Sequence, residues 1–113
     1  KGICPDGWHI PTYGEFLTLK TYVKNISNPL KEIDQGSGPG LGTNETGFSA
    51  LLAGWRYSTG EFYRIGDAAS FWSSTMINFS QASSVVLGWW DNKFYLYETT
   101  SIEYGLSIRC LKD

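Results

Sequence analysis

Gly105-Leu106-Ser107-Ile108-Arg109-Cys110-Leu111, close to the C-terminus, alternates apolar and polar residues with a period of two. That pattern predicts a half-buried closing strand, with Leu106, Ile108 and Cys110 turned to a core and Ser107 and Arg109 turned to water. Cys110 has one possible intrachain partner, Cys4, because the chain holds only 2 cysteines. A bond between them closes nearly the whole sequence into one covalent loop and makes the termini neighbours, a constraint worth roughly 4 to 5 kcal/mol against unfolding in the chain-entropy model. Two cysteines so far apart do not match the close ligand spacing of a metal or redox pair, and they fit an exported, oxidising setting.

The 113 residues suffice for one core, so a single domain over 1–113 is expected. Apolar residues at 42%, 16% of the chain being aromatic, exclude a disordered chain, while 13 Gly and 4 Pro point to many turns. A formal net charge of −2 without a Lys/Arg cluster argues against nucleic acid as a partner. No apolar run approaches the ~20 residues of a membrane helix, so direct membrane insertion is not expected. The N-terminus lacks the basic and apolar parts of a signal peptide, which reads as a mature domain, excised from or forming the C-terminal part of a larger exported protein.

Thr12 followed by Glu15 forms a capping box and predicts a helix over about Tyr13 to Lys24, with Pro11 and Phe16 as its staple. Phe16, Leu19, Val23 and Ile26 recur at helical spacing, and Lys20 and Lys24 lie where the helix dipole favours cations. From Ser27 to Thr46, periodicity is absent and five glycines and prolines crowd Gly36 to Gly42, predicting a long surface loop, either functional or mobile. Phe48 to Tyr57 reads as a buried core strand that turns through Ser58 to Glu61 into Phe62-Tyr63-Arg64-Ile65. Phe71-Trp72-Ser73-Ser74-Thr75 is a short strand, followed by a polar link through Asn78, Ser80 and Gln81. If Asp91-Asn92 is a two-residue turn, Trp90 faces Lys93; Val85, Leu87, Trp89, Phe94 and Leu96 then share one side and Val86, Trp90, Tyr95 and Tyr97 the other. The aliphatic side is assigned to the core, leaving the second as an exposed aromatic face.

Four segments together, in order and spanning nearly the whole chain, resemble the Fibrobacter succinogenes major paralogous domain family of exported bacterial surface proteins and lipoproteins. They are Cys4-Pro5-Asp6-Gly7-Trp8-His9-Ile10-Pro11-Thr12, Gly47-Phe48-Ser49-Ala50-Leu51, Phe71-Trp72-Ser73-Ser74-Thr75 and Gly105-Leu106-Ser107-Ile108-Arg109-Cys110. Leu52 stands where that family often has Pro, and Leu106 where it usually has an aromatic residue. The resemblance implies an α+β fold like a compact member of the C-type-lectin-like and formylglycine-generating-enzyme folds, with one main helix packed on a twisted, mostly antiparallel sheet. Related lectin-like domains serve as receptor-binding ends of adhesins, pilus tips and retroelement-diversified proteins.

Trp90-Asp91-Asn92 invites comparison with the Trp-Asn-Asp calcium motif of true C-type lectins, but the order is reversed and no Glu-Pro-Asn or Gln-Pro-Asp accompanies it. The pair reads as turn chemistry, with no metal or other cofactor expected. His9, the single histidine, sits just before the helix cap and is assigned a structural hydrogen bond. A Cys/His nucleophile would need a free thiol, and the closely spaced cysteine pair of the resembling enzyme fold is missing, so no catalytic residue is expected. What remains is the aromatic face. Trp90, Tyr95 and Tyr97, with polar help from Asn78, Asp91 and Asn92, are the expected binding residues for a glycan or protein on another surface. The alternative is that the same aromatics pack beneath the Ser27–Thr46 loop or against a neighbouring domain, in a structural spacer.

Overall fold

The capping box forms as the sequence requires: Thr12 Oγ1 accepts from Glu15 N at 3.2 Å, and the Glu15 carboxylate accepts from Thr12 N at 2.8 Å. The computed structural model describes residues 2–113. In chain order it contains β1 (Trp8–His9), α1 (Tyr13–Tyr22), single 3₁₀ turns at Asn28–Leu30 and Gly38–Gly40, β2 (Trp55–Arg56), β3 (Phe62–Tyr63), β4 (Ala68–Asn78), β5 (Gln81–Gly88), β6 (Phe94–Ser101) and β7 (Leu111–Lys112). The class is α+β. β4, β5 and β6 form one antiparallel sheet, β2 pairs with β3, and β1 pairs with β7. Cys4 and Cys110 are bonded, and β1 and β7 sit beside that bond, so the termini are tied twice.

The main sheet divides by the period of two. Leu87 pairs with Ala69 and Phe94, and Val85 with Phe71 and Leu96; all lie on the face that packs with Phe16, Val23, Leu30, Ala50 and Leu52. The β5–β6 register differs from the expected one by two residues, since Leu87 rather than Trp89 faces Phe94. A shift of two leaves every side chain on its expected face, so the core side survives although the two-residue turn at Asp91-Asn92 does not. The connection is longer because its backbone is bonded elsewhere: Trp89 N to Asp67 O at 2.8 Å, Trp89 O to Ser37 N at 2.8 Å and Asn92 O to Ser27 N at 2.7 Å.

Other expectations change for equally local reasons. Lys24 and Asn25 adopt φ of 54° and 61°, ending the helix before Lys24 and leaving Ile26 outside the core. The Phe48–Tyr57 run is not a continuous strand; Ser49 and Gly54 have positive φ, Leu51 and Ala53 are exposed, Ala50 and Gly54 make single bridges, and Trp55–Arg56 pairs with Tyr63 and Phe62. Phe71–Thr75 instead belongs to an 11-residue strand, and Asn78 closes its tight turn into β5.

The Ser27–Thr46 segment is no loose surface loop. Leu30 joins the core, and the Lys31 side chain is fully buried, its ammonium donating to Gly40 O, to Gly88 O at 2.8 Å and to Asp91 O at 3.1 Å. Burial pulls the Lys31 amine down to about 8, against the attraction of the Asp91 carboxylate. Gly40 passes so close to the Trp89 carbonyl that any Cβ there would collide with backbone.

Two measurements test this frame. A thiol assay on unfolded, unreduced protein should count none, and reduction should lower the melting temperature by several degrees or more. Lys31→Met should destabilise by about 2–4 kcal/mol in urea unfolding, since three carbonyls lose their donor while the saved desolvation of one cation offsets only part of that loss. A neutral result for Lys31→Met would remove the ammonium from any role in holding the segment.

Candidate functional site

Opposite the core, the sheet presents two cross-strand rows, Ser70-Val86-Tyr95 and Trp72-Ser84-Tyr97. Two further segments attach to the free edge of β4. Gly54 N donates to Ala68 O at 2.7 Å, Trp72 N to Ser107 O at 3.0 Å, and Ser107 N to Ser70 O at 3.0 Å, while Arg56 and Gly105 exchange backbone bonds of 2.8 Å. Side chains alternate along these segments as in a strand, so Trp55, Tyr57 and Leu106 come to the side of Ser70 and Val86. There they wall a groove of about 450 Å³ whose remaining lining is Ser84, Tyr97, Thr99, Thr100, Ser101 and Tyr104. Tyr57 meets Tyr104 edge to face at 5.4 Å and Trp55 at 6.3 Å, and Tyr63 backs both, 5.7 Å from Trp55 and 5.4 Å from Tyr57.

The closing segment is therefore oriented opposite to its expected sense. Ser107 pairs with core-facing Phe71, Leu106 lines the groove, Ile108 is 36% exposed, and the Arg109 guanidinium lies 4.4 Å over the Phe48 ring. A cation on a ring satisfies the core side without an aliphatic residue, and the groove face takes the leucine because its neighbours are aromatic.

Of the expected binding residues, Tyr97 lines the groove and Tyr95 stacks against it, with ring planes 11° apart and centroids at 6.2 Å. Trp90 is 59% exposed, and its Nε1 lies 3.9 Å from where a Gly88 Cβ would project, which places the indole over the same face. The three aromatics thus follow one face from the β5–β6 connection to the groove. Asp91 supports them: its Oδ2 accepts from the Tyr95 hydroxyl at 2.5 Å and its Oδ1 from Lys93 N at 3.1 Å. The Asp91 carboxylate bonded to that hydroxyl pushes the Tyr95 phenol upward. Asn92 contributes its backbone carbonyl to Ser27. Asn78 is separated from the rest, at the opposite end of β5, where its amide is bonded to Gln81 and Ser80. The groove residues Trp55, Tyr57, Tyr104, Ser70 and Ser84 were not anticipated; the one available signal was Trp55 and Tyr57 two residues apart, hence on one face of a strand.

His9 has its expected structural role. Nδ1 lies 2.6 Å from Asp113 Oδ1 and Nε2 2.9 Å from Glu15 Oε1, so the ring bridges the C-terminus and the helix cap. With a carboxylate at each nitrogen, both ring positions are engaged in hydrogen bonds that favour the protonated form. Hydrogen bonds to Asp113 and then Glu15 hold its pKa above the usual histidine value. Among the described residues, no group of three or more His, Cys, Asp or Glu is arranged to hold a metal, and both cysteines are in the disulfide. A second cavity of about 450 Å³ lies between α1 and the C-terminal segment, with Glu15 and Arg109 on its rim of Phe16, Leu19 and Phe48.

The Fibrobacter succinogenes major domain family matches residues 1–112, and the chain belongs to that family. No curated protein and no solved structure matches it.

The histidine bridge has a definite pH signature. Because its folded pKa is raised above 6.5, its contribution is fully present below that value and is lost as pH rises through the folded pKa. Thermal stability should therefore fall as pH rises above 6.5, and His9→Gln should flatten that slope. An unchanged slope in the variant would mean the bridge does not form in solution.

Proposed function

We propose that this member of the Fibrobacter succinogenes major domain family is a non-catalytic binding module of an exported bacterial surface protein, with its ligand on the open face of the β4-β5-β6 sheet. The observation that carries the reading is the continuous aromatic face of Trp90, Tyr95 and Tyr97 running into a groove walled by Trp55, Tyr57 and Tyr104. Aromatic side chains of this kind present rigid apolar area with a polar handle, the usual currency of glycan and protein recognition. The paired termini, the single main helix and the bridging disulfide support a C-type-lectin-like fold. The disulfide also supports an oxidising location outside the cytoplasm. A saturated His9 and the absence of a free thiol support a role without catalysis.

The competing role is a spacer whose aromatics seat against a neighbouring domain. A glycan array combined with a protein pull-down separates the two, since a spacer is silent in both. Tyr97→Ala and Trp90→Ala should change stability by less than about 1 kcal/mol while removing the binding found. Leu87→Ala and Phe94→Ala, on the core face, should each cost about 2 to 5 kcal/mol. Equal destabilisation on the two faces would make the aromatic face part of the packing and leave the spacer as the better account.

A further inference from the structure

The lining of the groove is chemically selective. None of its 11 residues is charged, although 18% of the chain is, and five of them are serine or threonine. Ser84 Oγ and Thr100 Oγ1 are 2.7 Å apart and pair with each other. Ser70 Oγ has no partner at all, in a residue 1% exposed that borders the groove. Buried hydroxyls normally find a partner; Ser27 Oγ and Asn28 Oδ1 are unpaired too, but of the three only Ser70 borders the groove, where a ligand atom would complete the set.

Each class of ligand meets this lining differently. A charged ligand finds no counter-charge in it and would shed its hydration uncompensated. A wholly apolar ligand would leave Ser70 Oγ without a partner. An extended peptide recognised by strand addition would pair along the outer edge of β6, whereas the groove opens on the face of the sheet. An uncharged sugar offers what is required: axial C–H patches for the faces of Trp55, Tyr57 and Tyr97, and hydroxyls that both donate and accept toward Ser70 and Ser84. The volume of about 450 Å³ falls within the roughly 300–1,000 Å³ range of small-ligand sites.

We infer that the groove between the β4–β6 face and the Trp55-Tyr57-Tyr104 wall binds a neutral glycan, without calcium, using Ser70 as the buried hydrogen-bonding group. The inference rests on the binding-module reading and narrows its ligand class.

Affinity electrophoresis tests it with neutral polymers (soluble β-glucan, xylan, mannan and galactan) and anionic ones (polygalacturonate and alginate), with and without EDTA. Retardation by at least one neutral polymer, unaffected by EDTA, is expected. Trp55→Ala and Tyr97→Ala should weaken it at least tenfold, Ser70→Ala should weaken it about fivefold, the loss of about one hydrogen bond, and Tyr22→Ala on the helix should leave it unchanged. Melting curves confirm that each variant is folded, and quenching of Trp fluorescence by the retarding polymer gives a second readout should Trp55→Ala fail to fold. Retardation by anionic polymers alone, dependence on EDTA, or neutral binding indifferent to Tyr97→Ala overturns the inference. Silence toward every neutral polymer does so too. A protein captured through Tyr97 in the pull-down would then leave the binding-module reading standing while the neutral-glycan inference falls.

Discussion

The buried ammonium of Lys31 is the interaction on which the rest of the fold depends. Its three carbonyl acceptors come from Gly40, from the last residue of β5 and from the β5–β6 connection, so one cation joins the glycine-rich segment to the end of the sheet. Cations are seldom buried without partners, and here the compensation comes from peptide dipoles, with the Asp91 carboxylate adding attraction. The amine, although lowered to about 8, is charged at neutral pH and can use all its donors. Gly40 and Gly36 are required by the same junction, since side chains at either would meet the Trp89 or Gly40 carbonyl.

Lys31 also explains what the aromatic face can do. Asp91 has two tasks: its backbone carbonyl receives the ammonium, while its carboxylate receives the Tyr95 hydroxyl. The hydroxyl end of Tyr95 is thereby fixed through a connection that is itself held to the 27–42 segment, and Tyr97 stacks on a ring that cannot swing away. Under the proposed binding role, rings held in this way lose less side-chain entropy on contact with a ligand than free aromatics would.

Much of the architecture was legible because it rests on local rules. The capping box requires two side chains at fixed spacing, the disulfide had no alternative partner, and the two faces of β5 and β6 depend only on residue parity. Parity also explains why a register error of two did no damage to the core assignment. What failed was long-range. Nothing in the Ser27–Thr46 composition announces that a lysine will be swallowed by three carbonyls supplied from 9, 57 and 60 residues away. Trp55 and Tyr57 looked like core because the surrounding run is apolar; the positive φ at Ser49 and Gly54 that breaks it into turns is invisible to hydropathy. The closing segment was inverted for a related reason, since alternation identifies two faces without saying which one meets the core.

That inversion clarifies the division of labour across the sheet. A three-stranded sheet has two faces, and the single helix and its adjoining segment cover one, where Leu87, Phe94 and Val85 are buried. The other face is covered only at its margin, by residues 54–57 and 104–107, leaving Tyr97 47% exposed. If the purpose of that margin were burial alone, large aliphatic residues in rows with Val86 would serve better than Ser70 and Ser84, whose hydroxyls must find partners in a confined space. Small hydroxyl residues at the floor and aromatic residues at the wall instead keep the groove open at a cost in packing, which is the arrangement the proposed binding role requires.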